Sequence, residues 1–541
     1  MDGGQEREER DELIARAAGA PAADPRRGGG PRGAAGQDVG RAAAAAAAVD
    51  GVLDAVGGTP RQWRCALVLG VANAADAVEV LSIGSIVTVF RDPVSGRRID
   101  ELPQWSGLLT SSVFAGMLVG GLAAGLVGDR VGRRPVLTAA LVLNGSSALL
   151  SALAPLVRPL SLQVPWLVLF RVLGGLGVGG SVPSAFALAA ELGPTRLRAT
   201  FINIVACCWS AGVLFVSLAA WLLLGGGSGS GSGASEGGAA PASAGEQRWP
   251  WFVVVAALPA LLGAWLSATQ LEESPRLLWQ QGRAAELRAT MRRFVDSRPP
   301  PRDVAQAADR DALLLRIETD LADPACSGFV APSAGAGAAA AARAGAAAVA
   351  ALPRRRTLLL CSAFFFLSFA HYGVSAWVSD LFRKVKFTDP FATSLFYTLA
   401  AVPGLALAVC LLDVAGRRAV TATAMGVACL AAWLFALEVN DRAWVLAAAA
   451  LFNAAAATAW NGIDVFSAEL LPVRLRGTGL GLSIACGRVG SIAATVFNSF
   501  ALAKAEAAGV ATVLTGASAA MLAAALSVLL LPETKGSHEF D

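Results

Sequence analysis

Four ionisable residues sit inside long apolar runs, where chemistry is expensive and therefore informative. Asp76 and Glu79 lie three apart in the run 65–90, on one face of any helix formed there. Arg171 lies about two turns into the run 164–190, and Arg488 about three turns into the run 477–501. A charge within a membrane span costs about 2.5–3.5 kcal/mol on insertion scales, so such groups face a bundle interior and have a task. The depths make Arg171 a partner for Glu79 or Asp76. A carboxylate in an apolar site holds its proton more tightly, and a nearby arginine opposes this. A group balanced in that way can take a proton at one face and release it at the other, which is what proton coupling needs. The competing reading of Asp76, Glu79 and Arg171 is a static ion pair that fixes helix packing.

Arg488 has no acid at its depth in its own run or the neighbouring ones. Asp464 lies nearer the end of its run and is expected to join Glu469 and Arg476 in a loop network. A buried guanidinium without a partner is costly, so a bound anion would complete it. Backbone carbonyls or an acid from elsewhere in the fold are the competing partners. His371, Tyr372, Ser375 and Trp377 in one run, with Asn453, Trp460 and Asn461 in another, suit the lining of a cavity for an organic solute. Singly, each fits a packing or interfacial role as well, and His371 reads by default as a satisfied neutral histidine. His371, Tyr372, Trp377, Asn453, Asn461 and Arg488 are the candidate substrate-binding set.

The elements that must position these residues are membrane helices. The 541 residues are 55% hydrophobic and only 16% charged, against about 25% charged in soluble domains. Twelve runs near the length needed to cross a bilayer follow one another, at 65–90, 105–127, 135–157, 164–190, 200–224, 250–271, 357–381, 391–412, 419–438, 443–466, 477–501 and 510–531. The expected fold is all-α, with about twelve transmembrane helices in two parallel six-helix repeats. The expected organisation is a disordered cytoplasmic tail over 1–63, a six-helix bundle over 64–271, and a cytoplasmic central loop over 272–356. A second bundle over 357–531 and a cytoplasmic tail over 532–541 complete it. The Ala/Gly-rich stretches 43–48 and 331–351 read as linker, because alanine contributes little transfer free energy. The Gly/Ser-rich stretch 225–245 reads as a flexible outer loop. In the central loop, Ser274-Pro275 marks a helix start, and Leu287, Met291 and Phe294 form an apolar stripe against the bundle.

The short charged turns between the runs repeat. Gly128-Asp129-Arg130-Val131-Gly132-Arg133-Arg134 has a second copy at Asp413-Val414-Ala415-Gly416-Arg417-Arg418. Glu191-Leu192-Gly193-Pro194-Thr195-Arg196-Leu197-Arg198 likewise matches Glu469-Leu470-Leu471-Pro472-Val473-Arg474-Leu475-Arg476. Two motifs in the same order mean an internal repeat. Both copies are basic and belong on the cytoplasmic face, which requires an even number of spans per repeat and hence parallel halves. Asp129, Arg133, Arg134, Glu191 and Arg198 form one expected charge cluster, and Asp413, Arg417, Arg418, Glu469 and Arg476 the other. Glycines at 116, 120, 121 and 125, and at 175 and 179, have the spacing of close helix contacts.

These turns, with Glu273-Ser274-Pro275-Arg276 and Pro532-Glu533-Thr534-Lys535-Gly536, resemble the signatures of the major facilitator superfamily. So do Arg171 to Pro183, Asp76-Ala77-Val78-Glu79, Tyr372-Gly373 and Gly487 to Ser491, which resemble its synaptic vesicle transporter-like branch, with organic-ion transporters and sugar porters as neighbours. The resemblance covers roughly 64–536. It implies alternating access, with the loop clusters latching the halves in the outward-open state. There are departures. Glu272 stands where the family has proline, the loop 91–104 is short, and His371-Tyr372 replaces the Gln-rich signature of sugar porters.

The expectation is a secondary transporter of a small organic ion, with an anion favoured, its partners protons and the bilayer, acting as a monomer in a plasma or vesicle membrane with both termini cytoplasmic. No Walker A motif is present. No nucleic-acid partner, cofactor, metal site or enzymatic activity is expected, the 8 cysteines being scattered and the histidines 2. The rival readings are a non-transporting membrane protein acting as a binding or trafficking partner, and a sugar or inorganic-anion carrier of the same fold.

Overall fold

The computed structural model describes residues 49–225, 244–301, 303–321, 349–438, 441–471, 476–503 and 506–534. The stretches 43–48 and 331–348, the interior of 225–245, and the tails 1–48 and 535–541 lie outside these residues, as do the side chains of Asp129, Asp413 and Arg476.

The described chain is helical. The first six long helices are α1 (Pro60–Val89), α2 (Pro103–Val131), α3 (Arg133–Ser151), α4 (Gln163–Leu192), α5 (Arg198–Leu224) and α6 (Ala244–Gln270). Three shorter helices follow, α7 (Pro275–Gln280), α8 (Ala284–Asp296) and α9 (Val304–Asp320). Then come α10 (Arg354–Ser375), α11 (Val378–Lys384), α12 (Pro390–Leu399), α13 (Ala401–Ala415), α14 (Arg417–Leu437), α15 (Arg442–Leu470), α16 (Arg476–Leu502) and α17 (Glu506–Leu529). Eleven stretches of helix among the described residues are long and apolar enough to cross a membrane, α12 and α13 counting together as one. The one expected span outside that set is α3, whose 19 residues include Thr138, Asn144, Ser146 and Ser147. It packs on α4 and α6 along a face that buries Leu137, Leu141, Asn144 and Ser147, while Val142 and Leu150 face outward.

Two expected spans are broken. The run 357–381 ends at Ser375 and restarts at Val378 as α11, and the run 391–412 divides at Ala400. Pro403, three residues into α13, has no N–H to donate to the preceding turn, which accounts for the second break.

The helices pack in the same order twice. In the first set α1 lies on α5 and α6, α4 on α2 and α3, and α3 on α6. In the second set α10 lies on α16 and α17, α15 on α13 and α14, and α14 on α17. The two sets meet where α2 packs on α16 and α5 on α12. Glycine permits the closest approach: a Cβ on Gly116 would stand 2.2 Å from the Val172 carbonyl oxygen, and one on Gly175 2.1 Å from that of Val113. Gly125, in the same series, faces open space.

The amphipathic reading of the central segment is realised. Leu287, Met291 and Phe294 of α8 are fully buried, and Ser274 caps α7 by accepting from the Leu277 N–H at 3.1 Å. The tail expected over 1–63 is corrected at its end. Residues 49–56 are helical, and Val49, Val52, Leu53 and Val56 are buried in the apolar cluster that includes Phe294 and Ile317. Four apolar side chains at helical spacing supply the burial that polar tails lack.

Candidate functional site

Two interior clusters and two end networks hold most of the buried charge among the described residues. In the first cluster, α1 presents Glu79 to α4. Arg171 donates through Nη1 to Glu79 Oε1 at 3.0 Å and to Ser82 Oγ at 2.9 Å. Both charged residues are buried, Arg171 at 1% and Glu79 at 4% exposure. Gly174, one turn along α4, makes the room: a Cβ there would stand 2.7 Å from Glu79 Oε1. Of the two acids open to Arg171 on sequence grounds, the structure pairs Glu79.

Asp76 is partnered differently. Its Oδ2 accepts from Ser181 Oγ at 2.6 Å, and its Oδ1 faces Asn144 Nδ2 at 3.5 Å. Neither partner carries charge, and Asp76 is fully buried. The positive charge that acts on it is Arg488, from the second set of helices.

The second cluster is aromatic. The Arg488 guanidinium lies over the Tyr372 ring, 5.7 Å from its centroid. Tyr372 meets Phe114 of α2 at 5.2 Å and Trp460 of α15 at 5.9 Å, and Trp460 meets His371 at 6.1 Å. The Trp460 Nε1 and His371 Nδ1 atoms have no hydrogen-bond partner among the described residues. Arg488 also acts electrostatically on Asp464. Asp464 lies nearer the basic end than Arg488, and its carboxylate makes no bond to the expected loop partner Glu469 among the described residues. Asp464 is one helical turn beyond Trp460, on its face of α15.

The other candidates lie apart from this cluster. Trp377 is 1% exposed, packed in the apolar cluster with Leu381 and Phe382 where α10 gives way to α11. Buried Asn453 donates to the Tyr397 carbonyl at 2.7 Å and so ties α15 to α12. Asn461 donates to the Ala457 carbonyl in its own helix at 2.9 Å. Ser375 bonds the Tyr397 hydroxyl at 3.0 Å. Asn498, which the sequence did not single out, donates to the Gly373 carbonyl at 2.7 Å and pins α16 to α10.

At the end carrying the basic turns, the repeat is reproduced in its caps and ion pairs. Gly132 takes φ 119° and ψ 149°, and Gly416 φ 93° and ψ 151°, conformations that only glycine adopts readily. Each turn delivers the next helix N-terminus onto a carboxylate. Glu273 accepts from the N–H groups of Arg133 and Arg134 at 3.1 and 3.2 Å. Glu533 accepts from those of Arg417 and Arg418 at 3.0 and 3.2 Å. Arg133 pairs with Glu191, which accepts from Ser274 Oγ at 2.5 Å. Arg417 pairs with Glu469 at 3.2 Å, which accepts from Thr534 Oγ1 at 2.6 Å. Arg134 and Arg418 donate to the carbonyls of Ser267 and Leu531, each at 3.2 Å. Arg198 departs from its expected cluster. It lies 3.7 Å from Asp50, which also binds Arg276 at 2.5 Å. Sequence reasoning missed Glu273 and Glu533 as caps. The available signal was the recurrence of Glu-Ser and Glu-Thr after the last helix of each set. Glu272, in the place of the family's proline, is 4% exposed and bonds Arg61 at 2.5 Å and Arg293 at 2.7 Å.

The opposite end joins the two sets. Arg383 of α11 binds both Asp380 and Asp100, the latter from the turn between α1 and α2. Each acid is 1% exposed. Arg98 and Lys384 stand 3.4 and 4.0 Å from Asp100. Burial pushes the Asp380 carboxyl above the usual range, and Arg383 opposes it. Nearby, a Cβ on Gly84 would stand 2.2 Å from the Ala376 carbonyl oxygen, and Ser217 bonds Thr398 at 2.9 Å.

Comparison with known proteins agrees with this architecture. The Sugar (and other) transporter family matches residues 76–539. The niacin transporter NiaP of Acinetobacter baylyi is 25% identical, over 73% of this chain and 78% of that protein. Organic cation/carnitine transporter 7 of Arabidopsis thaliana is 26% identical over 82% and 86%, and the synaptic vesicle 2-related protein of Xenopus laevis 26% over 90% and 81%. The inward-open xylose transporter XylE of E. coli shares the fold with a TM-score of 0.63 at 18% identity, covering 88% of this chain and 98% of that one. The chain therefore belongs to the Sugar (and other) transporter family within the major facilitator superfamily, and is a multi-pass membrane transporter of small solutes, not an enzyme.

Proposed function

We propose that this protein moves a small, carboxylate-bearing organic ion together with protons by alternating access. The observation that carries the reading is Arg488. It stands at the meeting of the two helix sets on an aromatic ring, and no hydrogen bond or ion pair engages it among the described residues. A guanidinium held this way has its donors free for a planar anion, and the Phe114, His371, Tyr372 and Trp460 rings offer faces for an organic body. Two relatives carry names with carboxylate compounds in them, niacin and carnitine. A sugar would need many paired hydrogen-bonding groups, and Asn453 and Asn461 are already committed to backbone carbonyls.

Asp76, Glu79 and Arg171 supply the proton coupling. Asp76 is buried with neutral partners only, so its charge state depends on how near Arg488 lies. When a substrate anion occupies Arg488, that positive charge is spent and Asp76 takes up a proton. Rocking of the halves then carries both across. The basic turns are cytoplasmic, with both termini on that side. The opposite end is outer and closed here by Arg383, Asp100 and Asp380. The domains are bundles over 64–271 and 357–531, linked by 272–356. The paired turns, with Asp129 and Asp413, form the cytoplasmic gate, and the protein acts as a monomer.

The test is uptake by the purified full-length protein in liposomes under an imposed pH gradient. Accumulation of a labelled aromatic carboxylate that collapses with the gradient supports the reading. Uptake of sugars but not carboxylates replaces it with the sugar-carrier alternative.

A further inference from the structure

We infer that the site is bipolar, with Asp464 receiving a cationic nitrogen of the same substrate whose carboxylate Arg488 receives, so that the preferred solutes are small zwitterions carrying an ammonium group. This deepens the proposed function and rests on its placement of the site. Asp464 keeps accessible surface in a helix long and apolar enough to span the membrane. Its carboxylate makes no hydrogen bond or ion pair among the described residues, and Ser467 Oγ bonds its backbone carbonyl at 3.0 Å. A carboxylate maintained inside a span without a partner has a task.

Its position follows from helix geometry. Asp464 lies six residues from the end of α15, and Arg488 twelve from the start of α16, both counted from the basic end. At about 1.5 Å rise per residue the two Cα atoms differ in depth by about 9 Å. Helical side chains lean toward their own N-termini. α15 starts at the opposite end and α16 at the basic end, so the two side chains lean toward one another and close part of that distance. The remaining offset in depth suits a molecule with a few bonds between its charges. Trp460, one turn from Asp464, presents a ring beside Tyr372, and aromatic faces favour a substituted ammonium. The remaining charges near the site are Asp76, on the first set of helices, and the closed pair Glu79–Arg171. Neither offers a free carboxylate at the depth of Asp464.

The test compares four probes with the full-length protein: a trimethylammonium carboxylate, an ammonium carboxylate of the same length, benzoate and tetraethylammonium. Binding is read by tryptophan fluorescence in detergent and uptake in liposomes. The wild type is expected to bind the two zwitterions at least tenfold more tightly than benzoate or tetraethylammonium. Asp464→Asn is expected to abolish that preference while benzoate binding at Arg488 is retained or tightened. Zwitterions binding no more tightly than benzoate to the wild type would overturn the inference, and that measurement needs no variant to fold. An unchanged preference in Asp464→Asn would overturn it equally. Gradient-driven benzoate uptake with no zwitterion preference would leave the transport reading standing and remove only the bipolar site. Loss of uptake for every probe, with zwitterion preference intact in binding, would do the reverse.

Discussion

The two halves of this molecule are near copies at their basic ends and unlike in their interiors. Gly132, Glu273, Ser274 and Glu191 have counterparts in Gly416, Glu533, Thr534 and Glu469, bond for bond. Inside, the first half holds two acids and a paired arginine, whereas the second holds Arg488 against Tyr372 and the open carboxylate of Asp464. A turn that reverses the chain and caps the next helix solves a problem common to both halves. The interior must bind something asymmetric, and there the repeat has been abandoned.

The sharpest way to test that contrast is to remove the two arginines separately. Arg171→Gln leaves Glu79 buried without its counter-charge, and should cost about 3–5 kcal/mol of stability. Thermal unfolding in detergent should show the loss, and Glu79→Gln on top of it should restore most of it. Arg488→Gln breaks no ion pair. It should shift stability by less than about 1 kcal/mol while anion uptake falls at least tenfold. Equal destabilisation by the two changes would erase the distinction between a closed pair and an open binding group.

Next in size is Arg383→Gln at the opposite end, which leaves Asp100 and Asp380 facing each other without their shared cation. It should raise the labelling rate of a cysteine placed at Ala376 severalfold, because the contact between the two halves loosens there. An unaltered rate would deny the network a part in holding that end closed. Smaller again are Gly132→Ala and Gly416→Ala, each expected to cost about 1–3 kcal/mol for the backbone conformation. The first should be worse, since its Cβ would stand 2.4 Å from Glu273 Oε2 against 3.0 Å for Glu533 Oε2. Equal costs would mean that the turn conformation alone sets the effect.

The smallest effect concerns Asp92, in the turn after α1, which has no counterpart in the second half. Burial would raise its carboxyl, but hydrogen bonds from the Ser95 hydroxyl at 2.5 Å and the Ser95 and Val94 N–H groups at 2.9 and 3.5 Å hold it below its ordinary value. A lowered carboxylate contributes stability that is present above the ordinary value of 3.8 and is lost as pH falls through the folded one. Exchange of the Ser95 amide should therefore quicken in acid relative to the same amide in Asp92→Asn, where no such change is expected.

The spans were legible because apolar length is a local property. Run lengths placed the helix ends of α1, α4, α5, α14 and α16 within a few residues of where they lie. The breaks at Ser375 and Ala400 were not read, since apolar length runs past both, although Pro403 just beyond the second was a local signal for it. The repeat of the turns was legible as spelling, and so was the presence of an interior arginine near two acids. The helical tail segment 49–56 escaped because its four apolar residues follow a long alanine run that carries no periodic signal.

What the sequence determined by itself is therefore the inventory: how many helices cross, which charges lie within them, and that the basic turns share one face. Each follows from composition and spacing along the chain. Tertiary structure alone decided the pairings. Asp76 and Glu79 share a helical face, yet a glycine on α4 opens space beside Glu79, and a serine on the same helix takes Asp76. Glu273 reaches the start of α3 across 139 residues, and Arg488 of α16 comes to lie over the Tyr372 ring of α10. Ion pairing depends on distance in space and on the desolvation of both partners, and neither is a function of position along one chain.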